Sequence, residues 1–250
     1  MFRFYRQLRK NLIGNGQVRR YFLYALGEIA LVVIGILLAL QIDAWNTDRI
    51  DRKKEVLYLK EIRGNLEDDL NNVVYSIDFN QKKDSIIQVC LTTMLEAESD
   101  EEAMFKILEN MPMLAEFSVY TQNRVAFNNM LSAENIDLIS NDSLRTRLST
   151  FYSEANLLFG MQDRVRELTR IFVDNITPML MNRESIQVFF GTSSELATAE
   201  DLEFRKNRTV FGDLFGMQRN LGFHTQYLQA YQDKIEALLN QIDGSLQRSE

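Results

Sequence analysis

The stretch from Phe22 to Ile42 constrains this chain more than any other: 21 consecutive residues carry a single charge, Glu28. At about 1.5 Å of rise per residue, a helix of that length spans the roughly 30 Å hydrocarbon core of a bilayer. Such a run near an N-terminus either anchors a protein or is removed as a secretory signal. This one is longer than the apolar part of a signal peptide, and it ends in Gln41-Ile42-Asp43 with Trp45 behind it, not in a small-x-small site. It therefore reads as an uncleaved transmembrane anchor over residues 22–42.

Charge orients the anchor. Residues 1–27 carry six basic side chains (Arg3, Arg6, Arg9, Lys10, Arg19, Arg20) and no acidic one, whereas residues 43–55 are balanced. Basic residues stay on the cytoplasmic side, which puts residues 1–21 in the cytoplasm and residues 43–250 across the inner membrane, in the periplasm of a Gram-negative cell. Trp45 then lies at the far interface, and the basic residues face the anionic inner leaflet. Met1, Tyr5, Leu8 and Leu12 fall on one helical face, so residues 1–21 form either a basic amphipathic arm on the membrane surface, hinged at Gly14-Asn15-Gly16, or a plain basic flank.

At roughly 100° per residue, Glu28, Val32, Gly35, Ala39, Ile42 and Asn46 share one stripe of the span. Gly35 and Ala39 make a small-xxx-small pair that lets two backbones approach closely. Intramembrane carboxylates usually face protein, so Glu28, Gly35 and Ala39 are candidate contacts with a helix of a second copy or of a membrane-protein partner. The other account has Glu28, shallow in the span, snorkelling to the cytoplasmic headgroups.

The segments Gly27-Glu28-Ile29, Leu31 to Leu37, Ala39-Leu40-Gln41-Ile42 and Trp45-Asn46 resemble the opening of a Bacteroidota single-span membrane-protein family known only as a domain of unknown function. The resemblance continues at Phe2, Arg3 and Arg6, through Ala126-Phe127-Asn128-Asn129-Met130-Leu131, and from Ile136-Asp137-Leu138-Ile139 to Arg145, and more weakly at Asp201 to Arg205 and Tyr227-Leu228. It implies an envelope protein with a helical domain and supplies no activity. Similar proteins often carry a glycine where this chain has Glu134-Asn135.

Two prolines in 250 residues leave long stretches free to be helical. From Asn46 to about Glu96, Ile62, Leu66, Leu70, Val73 and Ile77 recur three or four apart, one amphipathic helix continuing from the span. Glu96 to Glu102 reads as a solvated acidic turn that lacks the ligand spacing of a calcium loop. A short helical piece ends at Asn110-Met111-Pro112. Asn141 or Asp142 caps a helix running from Leu144 toward Pro178, and residues 185–200 look irregular and exposed, a candidate ligand-facing loop or a plain connector. Leu214, Met217, Leu221, His224, Leu228, Tyr231, Ile235, Leu238 and Ile242 alternate three and four apart, a helix packed along its length in a bundle or coiled coil. The expected fold is all-α: an N-terminal transmembrane helix followed by an antiparallel bundle.

Chemistry is sparse. One histidine, His224, and one cysteine, Cys90, fall short of a His/Cys zinc site and permit no intramolecular disulfide, and both sit at core spacing. There is no nucleophile elbow, phosphate loop or His-Glu-x-x-His. No cofactor and no catalytic residue is expected, and a non-enzyme is the reading. Residues 56–250 hold 18 basic and 30 acidic side chains, a net of −12 that repels nucleic acid. These features point to association, as a scaffold or accessory subunit; the alternative is a ligand-binding sensor passing a change to a partner through the helix at Asn46.

Overall fold

A computed structural model of the chain describes residues 18–248, with side chains from Phe22 onward. The arm carrying Arg3, Arg6, Arg9 and Lys10, with its Gly14-Asn15-Gly16 hinge, lies outside the described residues, as do the side chains of Arg19 and Arg20. The described regular structure is all helical. In chain order it comprises α1 (Val18–Glu96), α2 (Asp100–Leu114), α3 (Val125–Ser132), a 3₁₀ turn (Ile136–Leu138), α4 (Asp142–Ser153), α5 (Asn156–Leu180), α6 (Arg183–Phe190), a second 3₁₀ turn (Phe204–Lys206) and α7 (Arg208–Gln247).

The chain divides into two compact units that part between Glu55 and Val56. In the first, the side chains from Leu26 to Ile50 are exposed on every face of α1. This helix contains a stretch long and apolar enough to cross a membrane, with a mean hydropathy of 2.5 over its best window.

In the second unit α1 and α7 run antiparallel. Arg63 meets Asp243 at 2.7 Å near one end, and Asn80 meets His224 at 3.1 Å farther along. Two apolar cores form. One gathers Leu59, Ile62, Leu66 and Val73 with side chains of α3, α4 and the C-terminal half of α7. The other gathers Ile87, Cys90 and Met94 with α2, α5 and the N-terminal half of α7. All nine positions of the α7 repeat are buried.

Local chemistry moves four element boundaries. The stretch read as one helix from Leu144 is two, broken after Ser153, whose hydroxyl bonds the Thr150 carbonyl at 2.8 Å, a local alternative to the helical ladder. Asn141 is the cap, accepting from Leu144 N–H. Residues 185–200 are not wholly irregular: Asn182 caps α6 by accepting from Ser185 N–H, and Gly191, at φ 66, ends it in the left-handed conformation glycine adopts without strain. Pro112 lies inside α2, near its end. The acidic turn shrinks to Ala97–Ser99, and Asp100 is buried, bonded to Arg205 at 2.9 Å. Burial pushes its carboxyl upward, but the Arg205 backbone N–H and guanidinium outweigh this and hold it below the usual carboxylate range.

Glu134 sits at φ 56 between α3 and the 3₁₀ turn, a strained position for any residue with a side chain. Glu134→Gly should relieve that strain and, net of the added freedom of the unfolded chain, raise stability by about 0.5–1 kcal/mol in a denaturant titration. Glu134→Val should lower it.

Candidate functional site

The buried side of α1 follows a strict rhythm. Leu59, Ile62, Leu66, Asp69, Val73, Ser76, Asn80, Lys83, Ile87, Cys90 and Met94 are spaced alternately three and four apart, and all are buried. Apolar residues hold both ends and polar ones interrupt the middle. The α7 repeat has His224 at the matching level, and α5 supplies Thr169. Between α2 and α3 the backbone is non-helical over residues 116–124, and along it Ser118, Tyr120 and Gln122 turn inward while Val119 and Thr121 face out. This strap buries polar Ser118 and Gln122 and leaves apolar Val119 outside, the reverse of an ordinary half-buried extended segment at those positions.

These elements meet in a polar layer between the two cores. Thr225 donates its hydroxyl to the Leu221 carbonyl at 2.9 Å, so toward Asn80 it accepts, at 3.2 Å. That turns Asn80 Nδ2 toward His224 Nδ1 as well and leaves the imidazole proton on Nε2, which has no partner among the described residues. Ser118 donates to Asn80 Oδ1 at 3.3 Å. Burial lowers the His224 pKa to about 4, so the ring is neutral at neutral pH. One turn on, Lys83 is 1% exposed and donates to the Glu116 carbonyl and, at 3.1 Å, to Thr169 Oγ1. Burial lowers its pKa to about 8, with Glu116 opposing.

Toward the first core lies an acid-tyrosine cluster. Asp69 Oδ1 accepts from Asn123 N–H at 2.8 Å. Among the described residues Asp69 Oδ2, Tyr120 Oη, Tyr152 Oη and Gln122 Oε1 are buried without a hydrogen-bond partner of normal geometry, and Gln122 Nε2 donates to Tyr231 Oη. Burial raises Asp69 to about 6, against the stabilising Asn123 N–H, and also raises all three phenols. Six rings, Phe127, Tyr152, Phe151, Tyr231, Tyr120 and Phe159, form an unbroken series with neighbouring centroids 4.3 to 6.3 Å apart.

Glu28, Gly35 and Ala39, the residues singled out by spacing, share one exposed side of α1, where a Cβ on Gly35 would meet nothing within 4 Å. Trp45 is exposed. The stripe thus faces outward with no neighbour among the described residues of its own unit, and His224 takes the core position its spacing assigns. Periodicity of apolar residues alone missed Asp69, Asn80 and Lys83, because it ran through Leu70 and Ile77, which are only half-buried. The signal was present in the three-four rhythm, which continues through the polar positions. Among the described residues no group of three or more His, Cys, Asp or Glu is placed to hold a metal ion. As arranged, the layer ties α1, α5, α7 and the strap together, with Lys83 and His224 each 1% exposed.

Residues 28–160 match the profile of a family described as a family of unknown function (DUF6090). No curated protein and no solved structure matches the chain.

The buried groups give opposing pH dependences. Asp69, raised in the fold, contributes stability present below pH 3.8 and lost as pH rises to about 6; His224, lowered in the fold, contributes stability present above 6.5 and lost as pH falls to about 4. Asp69→Asn keeps an acceptor for Asn123 N–H, so it should raise stability at pH 7 on the order of 1 kcal/mol and steepen the loss on acidification that His224 produces. Thermal melts of both proteins from pH 4 to 7 test this. Lys83 adds a rise in stability between about pH 8 and 10.5, which Lys83→Met should abolish in melts carried through that alkaline range.

Proposed function

The chain belongs to this family of unknown function, and on that premise we propose that it is a single-span inner-membrane protein acting by association, as a scaffold or accessory subunit. Residues 1–21 are cytoplasmic, 22–42 cross the bilayer and 43–250 form a periplasmic helical bundle. The resemblance of the opening to Bacteroidota membrane proteins supports a Gram-negative envelope, and the charge step from residues 1–27 to residues 43–55 supports the orientation.

One observation carries the reading: an apolar helix exposed all round, with Glu28, Gly35 and Ala39 aligned on one side of it. Lipid covers the apolar faces of such a helix at no cost, whereas a carboxylate flanked by small residues is best satisfied by another helix, from a second copy or a membrane-protein partner. The acidic composition of residues 56–250 disfavours nucleic acid as that partner, and the reading needs neither a cofactor nor a catalytic group.

A sensor is the second reading, and the buried atoms around Asp69 and Tyr152 that lack protein partners favour it. Native mass spectrometry of the full-length protein, extracted gently from its own membrane, separates the two. A homo-oligomer or a reproducible protein partner supports association, and a monomer carrying a discrete small-molecule mass supports the sensor. Under the association reading, Glu28→Leu should weaken assembly in vesicles by at least about tenfold in Kd, read by energy transfer between labelled copies. Unchanged assembly would assign Glu28 to snorkelling.

A further inference from the structure

Helices α4 and α7 meet in the first core, and a pocket of about 210 Å³ opens between them. Its apolar walls are Phe151 and Leu238, each 3% exposed, and Ala237. Its polar walls are Arg147 and Thr150 on α4, Glu154 just past the end of that helix, and Lys234 on α7. Lys234 and Glu154 meet at 2.9 Å and neutralise each other. One charge is left over. The Arg147 guanidinium has neither an ion-pair nor a hydrogen-bond partner among the described residues, whereas Arg145, two residues earlier on the same helix, holds both Asp137 and Asp142. The Thr150 hydroxyl is likewise without a hydrogen-bond partner among the described residues. Residues three apart on a helix share a side, so a fork of N–H donors and an O–H donor stand together beside walls that are apolar or already paired.

That combination selects the occupant. A cation would meet Arg147 and find the carboxylate of Glu154 already held by Lys234. A neutral apolar molecule would cover the walls and leave the guanidinium fork unused. A carboxylate takes the fork with two parallel hydrogen bonds, and an apolar body attached to it covers Phe151, Ala237 and Leu238. At about 210 Å³ the pocket lies below the roughly 300–1,000 Å³ of sites for drug-sized ligands, so that body is a single ring or a short chain. Residues 56–250 hold 30 acidic side chains against 18 basic ones, but charges farther than roughly 8 Å are screened at physiological ionic strength, and the nearest uncompensated charge is positive.

We propose that the α4–α7 pocket binds a small organic monocarboxylate, with its carboxylate on Arg147 and Thr150 and its apolar body against Phe151 and Leu238. The inference rests on the sensor reading and names its ligand class. Phe151 stacks on Tyr231 at 4.7 Å and meets Tyr152 edge-on at 5.1 Å, so a wall of the pocket is also a member of the buried ring series.

The test titrates the full-length protein in lipid nanodiscs with phenylacetate by calorimetry, with empty nanodiscs as the blank and phenylacetamide as the uncharged analogue. A single phenylacetate should bind per chain with a Kd below about 1 mM, and phenylacetamide at least about tenfold more weakly. Arg147→Gln should weaken phenylacetate at least about tenfold and leave phenylacetamide unchanged, and Arg147→Lys should restore only part of the loss, because an ammonium lacks the fork. Ala237→Trp should abolish binding of both by filling the pocket. Both positions are exposed, so helix content and melting temperature should stay at the wild-type values. If phenylacetate does not bind, if phenylacetamide binds equally well, if Arg147→Gln changes nothing, or if Ala237→Trp still binds, the inference falls. Native mass spectrometry of the protein from its own membrane keeps the sensor reading separate. A retained small molecule that is not a carboxylate overturns this ligand class and leaves the sensor standing, whereas no retained molecule together with no phenylacetate binding overturns both.

Discussion

An ammonium group taken out of water needs acceptors, because desolvating a charge costs several kcal/mol before any partner is found. Lys83 finds one in the Glu116 carbonyl and one in Thr169, and so ties α1 to the strap and to α5 at the same point. The bond to Glu116 is possible because the chain is not helical there, so its carbonyl is not committed to a helical ladder. The same reasoning accounts for other strap groups. Tyr120 N–H donates to Gln162, Asn123 N–H to Asp69, and Ala126 N–H, at the start of α3, to Asn65. A segment without a ladder must have its buried amides satisfied one by one, and α1 and α5 carry side chains that do so.

This arrangement explains why the interior is divided. An apolar core running the full length of α1 and α7 would give the strap nothing to bond. With the polar layer in place the strap is held, and the apolar cores on either side gather different parts of the chain, α3, α4 and the start of α5 in one and α2 and the rest of α5 in the other. The layer is itself imperfectly satisfied. Among the described residues Ser76 Oγ, His224 Nε2 and Asp69 Oδ2 have no hydrogen-bond partner of normal geometry.

Much of this was legible in the sequence, and the failures have physical causes. The long first helix followed from the absence of proline and an unbroken periodicity, and every position of the α7 repeat was assigned correctly because that repeat is apolar nearly throughout. The α1 seam was misread by one position: Leu70 and Ile77 are apolar and half-buried, while Asp69 and Ser76 beside them are polar and buried. Apolar periodicity locates a core only where the core is apolar. Helix α6 was missed although its caps, Asn182 and Gly191, stand in plain sequence, because its apolar residues follow no inward rhythm. The Glu28 stripe was legible from spacing alone, as helical geometry fixes which residues share a side.

The alternating three-four rhythm of α1 and α7 repeats every seven residues, and a repeating seam by itself has translational symmetry. Sliding one helix past the other by seven residues, about 10 Å, would return apolar side chain to apolar side chain with little to distinguish the new alignment from the old. The polar interruption removes that degeneracy. After such a slide Lys83 would lie among apolar side chains, away from its carbonyl, and Asn80 would lose His224. The buried layer therefore works as an index mark on two otherwise self-similar rulers, selecting one alignment of the long helices from a ladder of near equivalents.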